Sequence, residues 1–266
     1  MEIIGYIASV FIGISLGLIG GGGSILTVPV LVYLFGENAE VSTAYSLFIV
    51  GVTALVGGIR SATLGNVNYR TAVVFTIPAF IAVYLTRAYV VPAIPTEIMT
   101  FGDFTLTKDI AIMVFFALVM LAASVSMIRN KSEDTEQEYN DAPAFNIPAI
   151  IAEGAVVGVL TGIVGAGGGF LIIPALVLFA KLPMKKAVGT SLLIIAAKSL
   201  IGFIGDVQRP DLYIDWTFLL IVTAIAVVGI FVGIYLTKFL DGKKLKKGFG
   251  WFVLVMAVYI ILKQVL

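Results

Sequence analysis

Six stretches of this chain, 41–59, 71–91, 109–128, 186–204, 216–237 and 248–265, run 18 to 22 residues with few charges. A helix needs about 20 apolar residues to cross the hydrocarbon core of a bilayer, and about 17 is a practical lower limit. Inside that core every backbone polar group must be satisfied within the protein, so apolar segments of this length are expected to be helices. Composition agrees. Of 266 residues, 60% are hydrophobic and 12% charged, roughly half the ~25% charged fraction of an ordinary globular domain. Mean hydropathy is +1.09. Too little polar surface exists to coat a soluble body of this size. The expected class is an all-α polytopic protein of the cell membrane, with the lipid bilayer as its main partner.

The composition also excludes chemistry. Net charge is +1, so no basic field points to nucleic acid. There is no Cys and no His, which removes disulfides, thiol catalysis, the commonest general base and the commonest transition-metal ligands. The chain is not expected to be an enzyme, and no cofactor or metal site is expected. The first apolar segment, Ile3 to Ile19, is not read as a signal peptide. Glu2 stands where such a peptide carries a base, and no small-x-small pattern precedes the glycines.

Two further apolar segments, 24–35 and 169–180, are too short to span. Each follows a glycine cluster and each contains a proline, Pro29 or Pro174. They mark an internal repeat. A shift of 145 residues carries Gly13 onto Gly158, Gly17 onto Gly162, Gly20 onto Gly165, and Gly22 and Gly23 onto Gly167 and Gly168. The same shift carries Pro29 onto Pro174, Ser46 onto Ser191, and Gly57 onto Gly202. Leu and Val coincide often among apolar helices, but co-registered Gly, Pro and Ser indicate duplication. Repeat 1 is taken as 1–128, with a segment 3–35 and spans 41–59, 71–91 and 109–128. Repeat 2 is taken as 146–266, with a segment 147–180 and spans 186–204, 216–237 and 248–265. Between them, 129–145 is a polar linker carrying Arg129, Lys131, Glu133, Asp134, Glu136, Glu138 and Asp141.

Lys and Arg near span ends favour the cytoplasm. Lys238, Lys243, Lys244, Lys246 and Lys247 place the 238–247 loop inside, and Lys181, Lys185 and Lys186 do the same for 181–186. The 205–215 loop, with Asp206, Asp211 and Asp215 against Arg209, reads as outside. In the first half the bias is reversed. The 36–40 loop, with Glu37 and Glu40, and the base-poor 92–108 loop read as outside, while Arg60 and Arg70 place 60–70 inside. Arg129 and Lys131 make the linker cytoplasmic. The halves are therefore expected to be inverted repeats, each a Gly-broken helical hairpin followed by three transmembrane helices. Residues 1–35 would start and finish outside, 147–180 inside, and both termini would lie outside. Whether the hairpins are re-entrant or cross fully stays open, although the short return limbs favour the former.

Hairpins entering from opposite faces would bring Gly20, Gly21, Gly22 and Gly23 close to Gly165, Ala166, Gly167, Gly168 and Gly169 near the midplane. Irregular backbone survives there only when buried in protein or lining a cavity. Glycine permits tight turns and close approach of a ligand. Unpaired N–H groups at the start of each return limb favour an anion, and broken helices of inverted repeats recur in transporters. Packing alone is the alternative, and it suits Gly13-x-x-x-Gly17 and Gly158-x-x-x-Gly162. Ser24, Ser46, Thr190 and Ser191, with Thr27, could donate to an oxyanion or bond their own helix. Lys198 is a cation within a span, either a ligand for an anion or a side chain snorkelling outward. Its counterpart is the uncharged Thr53. Glu153 could couple transport to protons, or be solvated or ion-paired. Arg87 is read as an anchor at the membrane interface.

The quoted segments resemble a known family. Gly17-Leu-Ile-Gly-Gly-Gly-Gly-Ser-Ile-Leu-Thr-Val-Pro29 and Gly162-Ile-Val-Gly-Ala-Gly-Gly-Gly-Phe-Leu-Ile-Ile-Pro174 are similar to the paired signature of the TauE/SafE sulfite exporters. Ala187-Val-Gly-Thr-Ser-Leu192 resembles the second motif, and Ile214-Asp-Trp216 the loop motif that follows. The first half departs from it, with Ala44-Tyr45-Ser46-Leu47 lacking the Gly-Thr pair and Val67-Asn68-Tyr69 in place of Asp-Trp. The resemblance covers nearly the whole chain. It implies a membrane transporter of sulfur-containing anions such as sulfite or organosulfonates, often directed outward. The expected activity is secondary transport of a small anion by alternating access, with an anion channel as the alternative. The exact substrate, the coupling ion, the direction and a homo-oligomeric state are left open.

Overall fold

The computed structural model describes residues 2–101, 104–129, 147–165, 168–169, 172–173, 176, 180, 182–210, 212–236, 239 and 242–265. Helix α1 covers Glu2–Ile19. A 3-10 segment, Gly20–Leu26, follows it, then helix α2, Thr27–Val30, and a π-helical turn, Leu31–Phe35. The switching of helix type follows from the sequence. Four glycines lose the most entropy in a regular helix, and Pro29 removes one backbone donor. Gly36, at φ +80°, ends this limb in the left-handed conformation that glycine adopts without strain. The ring of Tyr6 meets that of Phe35 edge-on at 5.2 Å, so the two ends of residues 6–35 lie side by side.

Helix α3, Ala39–Thr63, begins where Asn38 Oδ1 accepts from Val41 N at 2.7 Å, a side-chain cap of the first turn. Helix α4, Tyr69–Leu85, starts with the same device, Asn68 Oδ1 accepting from Thr71 N at 3.0 Å. It continues through a π turn, Thr86–Val90, and helix α5, Val91–Ala93. Helices α6, Lys108–Arg129, and α7, Ile147–Val164, flank the region that contains the linker. Residues 130–145 of that linker, and Asn146 after it, lie outside the described residues. Helix α8 covers Met184–Val207, α9 Trp216–Leu236 and α10 Gly242–Val265.

Among the described residues, five helices are long and apolar enough to cross a membrane: Ala39–Thr63, Tyr69–Ala93, Lys108–Val125, Lys185–Val207 and Trp216–Leu236. The span expected at 248–265 differs. Its helix is 24 residues long, but Lys243, Lys244, Lys246 and Lys247 occupy the first turns, leaving Gly250–Gln264 as the apolar part. The all-α class needs one correction. Strands β1, Glu97–Phe101, and β2, Phe104–Thr107, form an antiparallel pair within the expected 92–108 loop, with Thr100 opposite Thr105 and Phe101 opposite Phe104.

Helices α3 and α8 form the centre and pack on each other, α4 lies against α7 and α8, α9 against α1 and α3, and α6 against α10. Glycines set the approach distances. Gly13 and Gly17 of α1 face Gly229 and Gly233 of α9, and a Cβ at Gly17 would stand 2.5 Å from Ile230 O. This is close backbone packing of the small-xxx-small kind. Gly158 and Gly162 of α7 meet α4 and its extension in the same way, at Ala82 Cβ (2.7 Å) and Thr86 Cβ (2.6 Å). The outer helices expose apolar side chains such as Val73, Ile77, Ile81, Val228, Phe231 and Val255. Such a belt is unfavourable in water and suits lipid.

Candidate functional site

Gly20 and Gly165 each stand directly after a long helix, and both have φ +69°. A side chain would be strained at either place. Gly20 faces α8, where a Cβ would sit 3.0 Å from Val188 Cγ1 and 3.2 Å from Ser191 Oγ. Gly165 faces α3 and is packed against Thr43, within 2.5 Å of its Cα for an added Cβ. Thr43 and Val188 are counterparts under the 145-residue shift, so each break rests on the equivalent position of the other half.

The two breaks touch. A Cβ on Gly21 would overlap the backbone of Gly169 and lie 2.5 Å from its carbonyl oxygen, and one on Gly169 would overlap Gly21 Cα. Gly22 continues the same 3-10 segment. Gly23 turns back onto α1, where a Cβ would lie 2.7 Å from Ser15 C. Ala166 and Gly167 lie outside the described residues. Gly168 has φ +59°, and a Cβ there would stand 2.8 Å from Lys198 Nζ.

Lys198 is fully buried. It does not snorkel: its Nζ donates to Thr161 Oγ1 at 2.8 Å, and Thr161 donates onward to Val157 O at 2.5 Å. Among the described residues no carboxylate pairs with it. Several expected hydroxyl donors are engaged elsewhere. Ser24 donates to Gly21 O at 2.7 Å and Ser191 to Val188 O at 2.8 Å, the local back-bonding such residues make in helices. Thr190 Oγ1 accepts from Asn68 N at 2.9 Å. By contrast Ser46 Oγ, Thr27 Oγ1 and Thr53 Oγ1 are buried without a hydrogen-bond partner among the described residues, a state that ordinarily calls for explanation. Glu153 Oε2 is buried and unpartnered in the same sense, on α7 well before the break.

The reading of Arg87 as an interface anchor is overturned. Arg87 is wholly buried and pairs with Asp206, also wholly buried, through Nε and Nη2 at 2.7 Å each. Its Nη1 donates to Thr43 Oγ1 at 2.9 Å and to Gly162 O at 3.2 Å. One guanidinium thus joins α4, α3, α7 and α8, and it fixes the threonine on which Gly165 rests. The carbonyl it meets lies in the last turn of α7, where the helix dipole favours a cation. Sequence reasoning missed the pair because each member looked like an end-of-span residue. The available signal was two opposite charges at similar depth in different spans.

Toward the 36–40 loop a cleft of about 450 Å³ is lined by Glu37, Asn38, Glu40, Tyr45, Arg209 and Asp215, among others. Glu40 Oε1 binds Lys108 Nζ at 2.8 Å and Arg209 Nη1 at 2.6 Å. Burial, reinforced by the charge of Asp215, raises the Glu37 carboxyl above its ordinary range. Tyr45 OH accepts from Asp215 N at 2.7 Å. Asp215 in turn caps α9 through Phe218 N at 3.0 Å, as Asn68 caps α4. Tyr45 and Thr190 are counterparts under the shift. Thus the Tyr45 hydroxyl of α3 holds the loop that opens α9, and the Thr190 hydroxyl of α8 holds the loop that opens α4.

The family model described as sulfite exporter TauE/SafE matches residues 6–260. A "probable membrane transporter protein" of Xylella fastidiosa (strain 9a5c) is 30% identical over 253 residues, covering 94% of this chain and 91% of its own. One of Haemophilus influenzae is 25% identical over 268 residues, covering 94% of each. The "probable membrane transporter protein YunE" of Bacillus subtilis is 27% identical over 215 residues, 76% of each. No solved structure matches the chain. The chain belongs to the sulfite exporter TauE/SafE family. It is a multi-pass membrane protein of a transporter family, not an enzyme.

Proposed function

We propose that the chain is a secondary carrier of small anions, of the sulfite or organosulfonate type, that alternates access around its two glycine breaks. The observation that carries this reading is the junction itself. Gly21 and Gly169 meet backbone to backbone, and beside Gly168 stands the buried Lys198 Nζ with no carboxylate partner among the described residues. Backbone N–H groups of Gly20–Gly23 and Gly165–Gly169, with the hydroxyls of Ser46 and Thr190, would hold the anion, and Ser24 and Ser191 would turn their hydroxyls to it from Gly21 O and Val188 O. Lys198 would supply its counter-charge, and the two halves would rock about the site. Preorganised donors in a dry site favour charge far more than they would in water.

The halves, 1–128 and 146–266, are on this reading inverted repeats, each a hairpin and three spans. The exchange of equivalent contacts supports it: Gly20 on Val188 against Gly165 on Thr43, and Tyr45 with Asp215 against Thr190 with Asn68. Tyr6 beside Phe35 supports a hairpin in the first half. Sidedness is supported by ion pairs. Glu40 joins Lys108 and Arg209, and so three loops of acidic or base-poor character, 36–40, 92–108 and 205–215, share one face. That face would be outside, with both termini, and the linker 129–145 inside. Because the chain has no Cys, single cysteines report this directly. Tyr213, 85% exposed, replaced as Tyr213→Cys should react with an impermeant maleimide added outside, and Ser132→Cys only after the membrane is opened. The opposite pattern would reverse the topology.

Reconstituted in liposomes, the protein should take up labelled sulfite or a sulfonate saturably and exchange it against internal substrate. Lys198→Met should lower flux at subsaturating substrate about tenfold or more, the effect of losing a charged hydrogen-bond contact of ~1.5–3 kcal/mol. Single-channel currents in place of saturable exchange would establish the channel alternative. Absence of flux for every member of this substrate class, from folded protein, would overturn the substrate assignment.

A further inference from the structure

Among the described residues two basic side chains, Arg87 and Lys198, are fully buried, and they differ in one respect. Arg87 is neutralised by Asp206 at 2.7 Å. Lys198 is bonded to a neutral hydroxyl, Thr161 Oγ1, at 2.8 Å. The elements packed on α8 are α3, α4 with its π turn, and the 3-10 segment after α1. Their charged residues are Glu40 and Arg60, then Arg70 and Arg87, and none in the 3-10 segment. None of these forms an ion pair or hydrogen bond with Lys198. Of the tyrosines on the same elements, Tyr45 is bonded to Asp215 N and Tyr84 to Gln208, while Tyr69 and Tyr89 are exposed. On α7, Glu153 stands eight residues before Thr161, about 12 Å along the axis at 1.5 Å per residue. On α8 itself the other charges are Lys185, Lys186 and Asp206, toward its ends. The undescribed residues at the break, Ala166, Gly167, Phe170 and Leu171, carry no charge by sequence.

An ammonium taken out of water with no counter-charge costs several kcal/mol. Two events lift that cost: loss of its proton, or arrival of an anion. They exclude each other as remedies, so occupancy by a proton and occupancy by an anion are linked at one nitrogen. We propose that Lys198 carries the coupling proton, so that each singly charged anion crosses together with one proton as an electroneutral pair. The proposal rests on the carrier reading above and adds the coupling ion and its seat to it. With the site open to one side, Lys198 Nζ takes a proton from water as the anion binds. With the site open to the other side, the anion leaves and the same nitrogen returns the proton to water. The loaded site is neutral because one cation faces one negative charge, and the empty site is neutral because the amine is unprotonated. Neither form drags net charge through the low-dielectric centre. The equivalent position of the first half is Thr53, so one titratable nitrogen serves the whole junction, which sets the ratio at one to one.

The test uses proteoliposomes and a simple alkanesulfonate, whose own charge does not change near neutral pH, so any response to pH belongs to the protein. With inside and outside at equal sulfonate and an imposed pH difference, the anion should accumulate on the alkaline side. At equilibrium the accumulation should approach about tenfold per pH unit, as a one-to-one pair requires. A pH dye in the lumen should record one proton for each sulfonate entering, a reading that needs no variant. Lys198→Arg keeps a charge that cannot be released. Any sulfonate exchange it supports should carry no proton, so accumulation driven by pH is lost, whereas Glu153→Gln should keep accumulation driven by pH. Sulfonate flux indifferent to the pH difference, pH-driven accumulation surviving in Lys198→Arg, or its loss in Glu153→Gln would overturn the proposal and leave the carrier reading intact. No sulfonate flux at all would overturn the carrier reading and this proposal with it.

Discussion

Replacing Arg87 by Leu destabilises the protein by about 3–5 kcal/mol, because it strands the wholly buried Asp206 without its partner. Set against the ~5–15 kcal/mol by which folded domains are commonly held together, this loss is severe. The fully exposed charges of the loops give no such effect, since surface pairs are worth about 0–1 kcal/mol. Thermal denaturation in detergent measures it. Asp206→Leu should be comparably harmful, because it strands the guanidinium. The double replacement Arg87→Met with Asp206→Leu should recover most of the stability, as buried pairs exchanged for apolar residues often do. The double variant should nevertheless transport poorly. Arg87 also holds Thr43 and the Gly162 carbonyl, and Thr43 is the surface against which Gly165 turns. Recovery of stability together with full flux would show that the pair has no positioning role.

Gly21→Val abolishes transport, and it does so through contact between the halves rather than through either half alone. An added Cβ already overlaps the Gly169 backbone, and the overlap is with main chain, which cannot swing aside as a side chain can. Overpacking a tight site costs about 1–3 kcal/mol, occasionally more. The two breaks must separate, and the donors proposed to hold the anion between them would then diverge. Gly36→Ala is the control: its left-handed φ of +80° carries a backbone cost that Gly21, outside that region, does not, yet nothing lies within 4 Å of a Cβ there. It should lose some stability, about 1–2 kcal/mol, and keep its flux. Equal losses of transport in the two variants would mean that general destabilisation, not contact at the junction, explains the phenotype.

Length and hydropathy made the spans legible. The expected segment 41–59 lies inside Ala39–Thr63, and 71–91 inside Tyr69–Ala93. The ends were extended by caps, Asn38 and Asn68, that a hydropathy reading does not weigh. The strand pair was passed over although its signal is present: Ile98, Thr100, Phe101, Phe104 and Thr105 favour strands. The special status of Gly20 and Gly165 was readable from the repeat. What was not readable was partnership. Arg87 and Asp206 lie 119 positions apart, and only the crossing of α4 with α8 makes them neighbours. Lys198 posed the same problem. Its depth was visible, but its direction toward Thr161 and Gly168 depends on which face of α8 meets α7. Tyr45 and Thr190 show a subtler case. The first half departs from the Gly-Thr pair of the second, yet both positions accept a backbone N–H from the opposite half. The shared role is the loop anchor, which a phenolic or a secondary hydroxyl fills equally.

The central claim is that the anion binds where the two glycine breaks meet. The most direct measurement is an anomalous-scattering or cryo-electron map of the protein with a bromine-labelled sulfonate. One bound sulfonate is expected beside Lys198 Nζ, within reach of the backbone of Gly20–Gly23 and Gly165–Gly169, and it should be lost in Lys198→Met. A sulfonate seated in the cleft of Glu37, Arg209 and Asp215 instead, with the glycine junction still closed while transport proceeds, would contradict it.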